Sequence, residues 1–474
     1  MKIRCILTAF LGSLLFLLIF SWSTSPLYLT YGGDSPFFQI IGLGITQGKV
    51  PYVDLFDHKG PVPFFYDALG YSLGLGRCGI FILQVISLTI TLCLMRRIAL
   101  LFTKSARRAS VAVALTLIPL AVFITEGNQV EEWQFPFIAL PLFLICRYLI
   151  SDRKCHPLWQ SLVYGLCFGM VFLNRPNDGV MWVGSLFLGL LLLWMVCREY
   201  GRLLPNIGLF VAGFAVSSVP FLAYFAAHNA LPDLWYGMIV HNLRYAGDAL
   251  FTWGGIGMIL IPVLFVTVIF ILLKREGRED FAFVLAPMLL FTVILIGKRD
   301  YYHYLIPFAP YMTIAFVLCL EHDWKPFVWT VSVLFAVFTY REFSFIARGV
   351  KAHDELKALY GQTDALFAQV PEEERNSVWN YNLVSYGKGN TVSLMGCFLH
   401  AGVTPSSPVL AAYDLYYLDD VWGVRAKEPK WLVMCPSDSY NKDFGYISDN
   451  YELVAATPAE PVCEIRLYKR KDKQ

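Results

Sequence analysis

"YGGDSPFFQIIGLGITQGKVPYVDLFDHKGP", Tyr31–Pro61, gathers Asp34, Lys49, Asp54, Asp57, His58 and Lys59 directly behind an apolar run from Cys5 to Trp22. That junction decides the fold, because an apolar run of near-spanning length that ends in charge reads as a chain leaving a bilayer. The same pattern recurs outward from it. Apolar stretches lie at Gly79 to Met95, Ala109 to Thr125, Phe135 to Leu149, Leu158 to Leu173, Val180 to Cys197, Leu204 to Ala226, Gly254 to Leu273, Phe281 to Ile296, Tyr304 to Leu320 and Phe327 to Tyr340. The chain therefore reads as a polytopic α-helical membrane protein with about eleven spans. Composition agrees: 57% of the 474 residues are hydrophobic and only 16% charged, against an apolar share of about one half in soluble proteins.

Lys and Arg near span ends resist translocation, so the loops orient the chain. With the amino terminus cytoplasmic, the inner segments carry Lys2, Arg4, Arg96, Arg97, Lys104, Arg107, Arg108, Arg198, Arg202, Lys274, Arg275 and Arg278 among others. The outer ones carry only Lys49, Lys59, Arg77, Arg175, Arg244, Lys298 and Arg299. The opening stretch thus faces outward, and an odd number of spans puts the carboxy terminus outside too. Lys2 and Arg4 before an apolar core imitate a signal peptide, but no small-residue cleavage site follows and Trp22 sits where cleavage would fall, so the first span reads as a retained anchor. The formal charge of +2 gives no reason to expect nucleic acid as a partner.

After Tyr340 charge, Asn and Pro rise and no stretch is long enough to span. "KAHDELKALYGQTDALFAQV" has helical periodicity up to Pro371, while "SVWNY", "WLVMC" and "CEIRLYK" are short β-rich runs. Residues 1–345 are therefore expected to form the membrane domain and 346–474 an extracytoplasmic α/β domain. Cys397, Cys435 and Cys463 fall in this tail; three widely spaced cysteines allow at most one disulfide and suggest no zinc site.

The dense polar clusters all fall on the outward side. Behind the first loop come Glu126, Asn128, Glu131 and Glu132, then "NRPND" (Asn174–Asp178), then His228, Asp233, His241, Asn242 and Arg244, and finally "GKRDYYHY" (Gly297–Tyr304) with Tyr302 and His303. Single acids such as Asp67 and Asp248 are read as structural, and His241 and His303 lack the spacing of metal ligands. The first loop is more specific: Asp34 follows two glycines, and "PYVDLFDHKGP" is a charged knot between aromatics.

This arrangement resembles the first outward loop of the GT-C superfamily of membrane glycosyltransferases, in particular the bacterial protein-mannosyltransferase-like and aminoarabinose lipid A transferase-like branch, glycosyltransferase family 39. The resemblance rests on Asp34, "GKVPYVDLFDHKGP" and the following "FFY". "EGNQVEEWQFP", "FLNRPNDG" and "RDYYHYLIPFAP" resemble later outward segments of the same enzymes. Where many relatives carry two adjacent acids, Asp34 is followed by Ser35, which argues against a metal pair there. The resemblance implies a polyprenyl-phosphate-linked sugar donor, an outer-side lipid, glycan or protein acceptor, inversion at the anomeric carbon, and a bacterial inner membrane. It implies Asp34 as general base and Lys59 on the donor phosphate, with Arg175, Arg244, Lys298 or Arg299 as helpers. Asp54, Asp57, His58, Glu131, Glu132, His241, Tyr302 and His303 are candidates for positioning substrate. No metal is assigned; phosphate is already a good leaving group, and a divalent ion has no support from the residues. The main alternative, a transporter or flippase of a polyprenyl-linked sugar, would need charge at mid-membrane depth, and the span interiors are almost free of it.

Overall fold

The computed structural model describes residues 3–151, 156–247, 252–296, 301–351, 353–381, 385–387, 390–392, 394–410, 423–436, 443–459 and 464–472. Helices dominate, and each of the eleven apolar stretches lies on one. The first elements are α1 (Ile3–Phe20), α2 (Ser35–Thr46), α3 (Pro61–Ser72), α4 (Arg77–Phe102), α5 (Ala106–Phe123), α6 (Phe135–Ile150) and α7 (Leu158–Phe172). Eight helical segments are long and apolar enough to cross a membrane: α1, α4, α5, Val130–Ile150, Pro176–Val196, Tyr200–Ala227, Trp253–Arg275 and Tyr302–Glu321. The three remaining stretches fall on α7, on Phe281–Ile296 and on the apolar portion Lys325–Tyr340 of a longer helix. Exposed apolar faces suit lipid: Ile6, Leu7, Phe10, Leu11 and Leu15 on α1, and Leu204, Val211, Val216 and Val219 on Tyr200–Ala227, all face outward.

The alternate loops sort to opposite ends of the bundle. At one end Glu321 accepts from Thr103 Oγ1 (2.6 Å) and Arg108 Nη1 (2.9 Å), while His322 meets Glu276 (2.8 Å). At the other end the first, second, third and fourth polar clusters interlock. Sequence reading did not foresee that the first loop folds into α2 and α3. Twelve residues each make about 18 Å of helix, too short to cross, so the pair covers the end of the bundle. Pro36 and Pro61 start them, where a missing N–H costs nothing.

The tail forms a four-stranded sheet in the order β1-β4-β6-β5, from β1 (Val378–Asn380), β4 (Trp431–Met434), β5 (Tyr451–Ala456) and β6 (Arg466–Arg470); β2 (Ser385–Gly387) and β3 (Asn390–Val392) pair separately. β1 runs parallel to β4, with Val378 opposite Trp431, and β6 is antiparallel to both β4 and β5. The three runs read as strands from sequence are β1, β4 and β6; β2, β3 and β5 were not foreseen. The expected helix is His353–Phe367. Cys397 and Cys435 are free and buried; Cys463 lies outside the described residues, as does Asp248.

Two large apolar cores result. One lies within the helical bundle. The other joins first-loop residues Phe37, Ile40, Tyr52, Phe56 and Phe64 to tail residues Leu359, Phe367, Met395, Phe398 and Leu467. Polar contacts reinforce this junction: Lys49 Nζ donates to the carbonyls of Asn376, Thr404 and Pro405, and Phe56 N donates to Pro408 O.

Candidate functional site

Asp34 stands at the start of α2. An aspartate there would ordinarily cap its helix by accepting from an amide of the first turn. Here its side chain makes no cap bond, because the local donors are already used or missing. Pro36 has no N–H, and the Phe37 amide donates to the Asp34 carbonyl (3.1 Å). The amides of Asp34 and of its two neighbours are held by Glu126 of the second polar loop, whose carboxylate accepts from Gly33 N (2.5 Å), Asp34 N (2.7 Å) and Ser35 N (3.3 Å). Gly32 permits the wrap, with φ +83° and a missing Cβ that would sit 2.7 Å from Glu126 Oε2. The Asp34 carboxylate is left exposed, with no hydrogen bond or ion pair among the described residues. Burial, and after it the charge of Asp34, pushes the Glu126 carboxyl up.

Lys59 arrives from the loop before α3. The Asp57 carboxylate accepts from the Lys59 amide (2.9 Å), a local turn that explains the spacing of the knot, and Tyr52 Oη donates to the Lys59 carbonyl (2.7 Å). Its Nζ lies 2.6 Å from His58 Nε2. Gly60 then docks on the third loop: its amide donates to Asn174 O (3.0 Å) and Val62 N to Leu173 O (3.2 Å). A Cβ on Gly60 would sit 2.0 Å from Leu173 O, so only glycine allows this approach. Burial lowers the Lys59 pKa, but Asp57 first, then Tyr304 and Asp34, outweigh burial and the repulsion of Arg175; the net shift is upward. The amine keeps its charge.

Arg175 is the residue before Pro176 and takes the extended backbone that position favours, φ −154° and ψ 111°. Its guanidinium donates to Glu131 Oε1 (2.7 Å), lies 3.7 Å from Asp178 Oδ1 and sits 3.7 Å from the centre of the Tyr304 ring. Gln134 fixes Asp178 from the other side, donating to its Oδ2 at 2.7 Å. Burial opposes the Arg175 charge, while Asp178, Tyr304 and Glu131 outweigh it and raise its pKa.

Asp34 is within electrostatic reach of Lys59, Glu126, Glu131 and His303. The Asp34 and Glu131 carboxylates, Lys59, Arg175 and the His303–Tyr304 ring pair therefore converge at one end of the bundle. His303 stacks on Tyr301 (5.5 Å) and meets Tyr304 edge-on (4.8 Å). His58 stacks on the buried His241 (5.6 Å), which also packs on Phe56, and Asn242 donates to the His58 carbonyl.

Other sequence candidates stand apart. Glu132 has both oxygens occupied, one by the Gln129 amide in a capping box and one by Gln84 of α4, so it faces into the bundle while Glu131 faces the cluster. Asp54 closes a turn by accepting from Val50 N. Arg244 is exposed over the Tyr236 ring (5.7 Å), and Tyr302 is exposed. Lys298 and Arg299 lie outside the described residues. The buried Asp67 accepts from Asn128, which also donates to Ser35 Oγ; burial drives the Asp67 carboxyl well up. The linking roles of Glu126, Gln134, Asp178 and Tyr304 were missed. Only Glu132 had a local signal, the Gln-x-x-Glu spacing from Gln129. Among the described residues no group of three or more His, Cys, Asp or Glu is arranged to hold a metal ion.

The chain matches the family model of the competence-induced protein Ccs4 N-terminal domain over residues 13–202. No curated protein matches the sequence. Among solved structures the fold is similar to that of ArnT from Cupriavidus metallidurans bound to undecaprenyl phosphate, at 13% identity and a TM-score of 0.61, over 98% of this chain and 97% of that one. A second similar structure is the Archaeoglobus fulgidus oligosaccharyltransferase in complex with zinc and sulfate, at 12% identity and a TM-score of 0.46, over 91% of this chain and 68% of that one. The GT-C fold expected from the first loop is shared with ArnT over nearly the whole chain.

Proposed function

We propose that this protein is an inverting glycosyltransferase that moves a sugar from a polyprenyl-phosphate carrier to an acceptor hydroxyl on the outer side of a bacterial inner membrane. The observation that carries the reading is the Asp34 carboxylate, exposed and unpaired within electrostatic reach of Lys59. An acceptor hydroxyl is too weak an acid to ionise at neutral pH, so it needs a carboxylate to receive its proton as the new bond forms. Asp34 is that base. The acceptor oxygen attacks the anomeric carbon from the face opposite the phosphate, the carbon–oxygen bond to phosphate breaks, and the polyprenyl phosphate leaves with one more negative charge than it had in the donor. Lys59 balances that charge, and Arg175, held by Glu131 and Tyr304, adds to the field. That the similar ArnT structure is bound to undecaprenyl phosphate supports this class of donor.

In this reading residues 1–345 carry the chemistry and residues 346–474 form the extracytoplasmic part that packs on the first loop. His303, His58 and Glu131 line the approach of sugar or acceptor. The test is transfer of radiolabelled sugar from a panel of polyprenyl-phosphate sugars, in membranes holding equal amounts of the intact protein or Asp34→Asn. Loss of transfer in the variant, with donor binding retained, is expected. Equal transfer by both removes Asp34 from the chemistry. No transfer by either, with labelled carrier moved across the membrane, replaces the enzyme by a transporter.

A further inference from the structure

Glu126 makes contacts that its role as one more acid in an outward loop does not explain. Its carboxylate is buried and accepts from four donors: the amides of Gly33, Asp34 and Ser35 and the side chain of Gln129 (3.2 Å). Oε1 takes three of these bonds and Oε2 the one from Gly33, so the carboxylate is committed chiefly to the backbone around Asp34. The loop that presents it is held in an unusual backbone. Thr125 and Asn128 both have positive φ, 52° and 55°, flanking Gly127 at 83°. A β-branched residue such as Thr125 avoids that region unless its surroundings impose it. The surroundings are polar contacts with the segment after α1: Trp22 Nε1 donates to Thr125 O (2.7 Å), Ser23 Oγ to Gly127 O (2.9 Å), and Ser23 N to Glu126 O (2.9 Å). The strained turn thus aims one carboxylate at the amides that start α2.

We infer that Glu126 is a positioning residue: it anchors the backbone amides of Asp34 and of the residues on either side of it, and so fixes where the Asp34 carboxylate points. This rests on the base role proposed above for Asp34. Pro36 completes the device, since it removes the amide that Asp34 could otherwise reach.

Two readouts test it on the full-length protein in detergent. The first needs no activity: hydrogen exchange of the peptide covering residues 31–40 in the intact protein, Glu126→Gln and Glu126→Asp. Exchange about tenfold faster in Glu126→Gln, smaller in Glu126→Asp, and unchanged in α4 and α5 is expected; unchanged exchange in 31–40 overturns the inference. The second is steady-state transfer. A fall in kcat of about 10- to 100-fold, with the KM for donor unchanged, is expected, because a misdirected base slows the chemical step and leaves donor binding alone. A raised KM at constant kcat overturns the inference, and so does recovery of kcat when Mg2+ or Mn2+ is raised, which would make Glu126 a metal ligand. If the intact protein transfers no sugar, the glycosyltransferase reading fails by itself, and the exchange experiment still decides whether Glu126 holds the start of α2.

Discussion

Replacing Gly60 with alanine tests whether the docking of the first loop on the third sets the site. The added Cβ would lie 2.0 Å from Leu173 O, 2.5 Å from Leu173 C and 2.9 Å from Asn174 O. A carbon and a carbonyl oxygen approach no closer than about 3.3 Å, so the two loops must part by about 1 Å. Backbone strain plays no part, since Gly60 has φ −69°, which alanine adopts freely. Parting weakens the bonds from Gly60 N to Asn174 O and from Val62 N to Leu173 O, worth about 0.5–1.5 kcal/mol each, on top of an overpacking cost of about 1–3 kcal/mol. Lys59 and Arg175 flank this contact and separate with it. A misplacement of about 1 Å costs on the order of 100-fold in rate. The assay pairs thermal unfolding in detergent with transfer kinetics, and uses Gly208→Ala as control, because a Cβ there meets nothing. Gly60→Ala is expected to unfold several degrees lower and to lose about 100-fold in kcat, while the control is neutral or slightly stabilised. Unchanged unfolding together with transfer within about twofold of the intact protein would refute the idea that this contact brings the two cations together.

Two further outcomes follow from the contacts described. Arg175→Lys keeps the charge but loses the planar stack on Tyr304 and the short bond to Glu131; with one charge-assisted bond worth about 1.5–3 kcal/mol, transfer is expected to fall about 10- to 100-fold, read as kcat at saturating donor. Lys49, half-buried under the tail, has its pKa pushed down to about 8 by burial, against an opposing effect of Asp54. Between about pH 8 and 10 the unfolded chain therefore binds more protons at this residue than the folded one, so its contribution rises with pH. Unfolding midpoints over that range should climb in the intact protein relative to Lys49→Met; parallel pH profiles would contradict the buried clamp.

The spans were legible because hydrophobic length is a local property: each of the eleven stretches lies on a helix, although two of these helices are too short to qualify as spans by length and a third is apolar over Lys325–Tyr340 only. The first loop was misjudged for the same reason. The glycines of α2 and the charged knot from Lys49 to Lys59 between the two helices hid the apolar stripes of α2 and α3, which meet each other and the tail. At the site, Asp34, Lys59 and Arg175 could be singled out from motif resemblance, and they lie at the same end of the bundle. What was not legible is how they are held. Glu126 lies 92 positions from Asp34, Glu131 lies 44 from Arg175, and Gln134 lies 44 from Asp178. Sequence spacing carries no trace of pairs that only tertiary packing brings together. Glu132 shows the converse: adjacent to Glu131 and chemically identical, it points the other way because consecutive residues on a helical turn face different directions.

The core shared by the first loop and the tail has a consequence for how the chain is made. Gln47 and Gly402 touch across 355 positions, so the loop leaves the ribosome long before the residues that cover it. At about 5–20 residues per second, Phe37, Phe56 and their neighbours wait on the order of tens of seconds for Phe398 and Leu467. Until then the segment bearing Asp34 and Lys59 has its helices but lacks its lid. The start of the chain is finished only after the tail that covers it has been made, so the site waits for residues some 355 positions downstream.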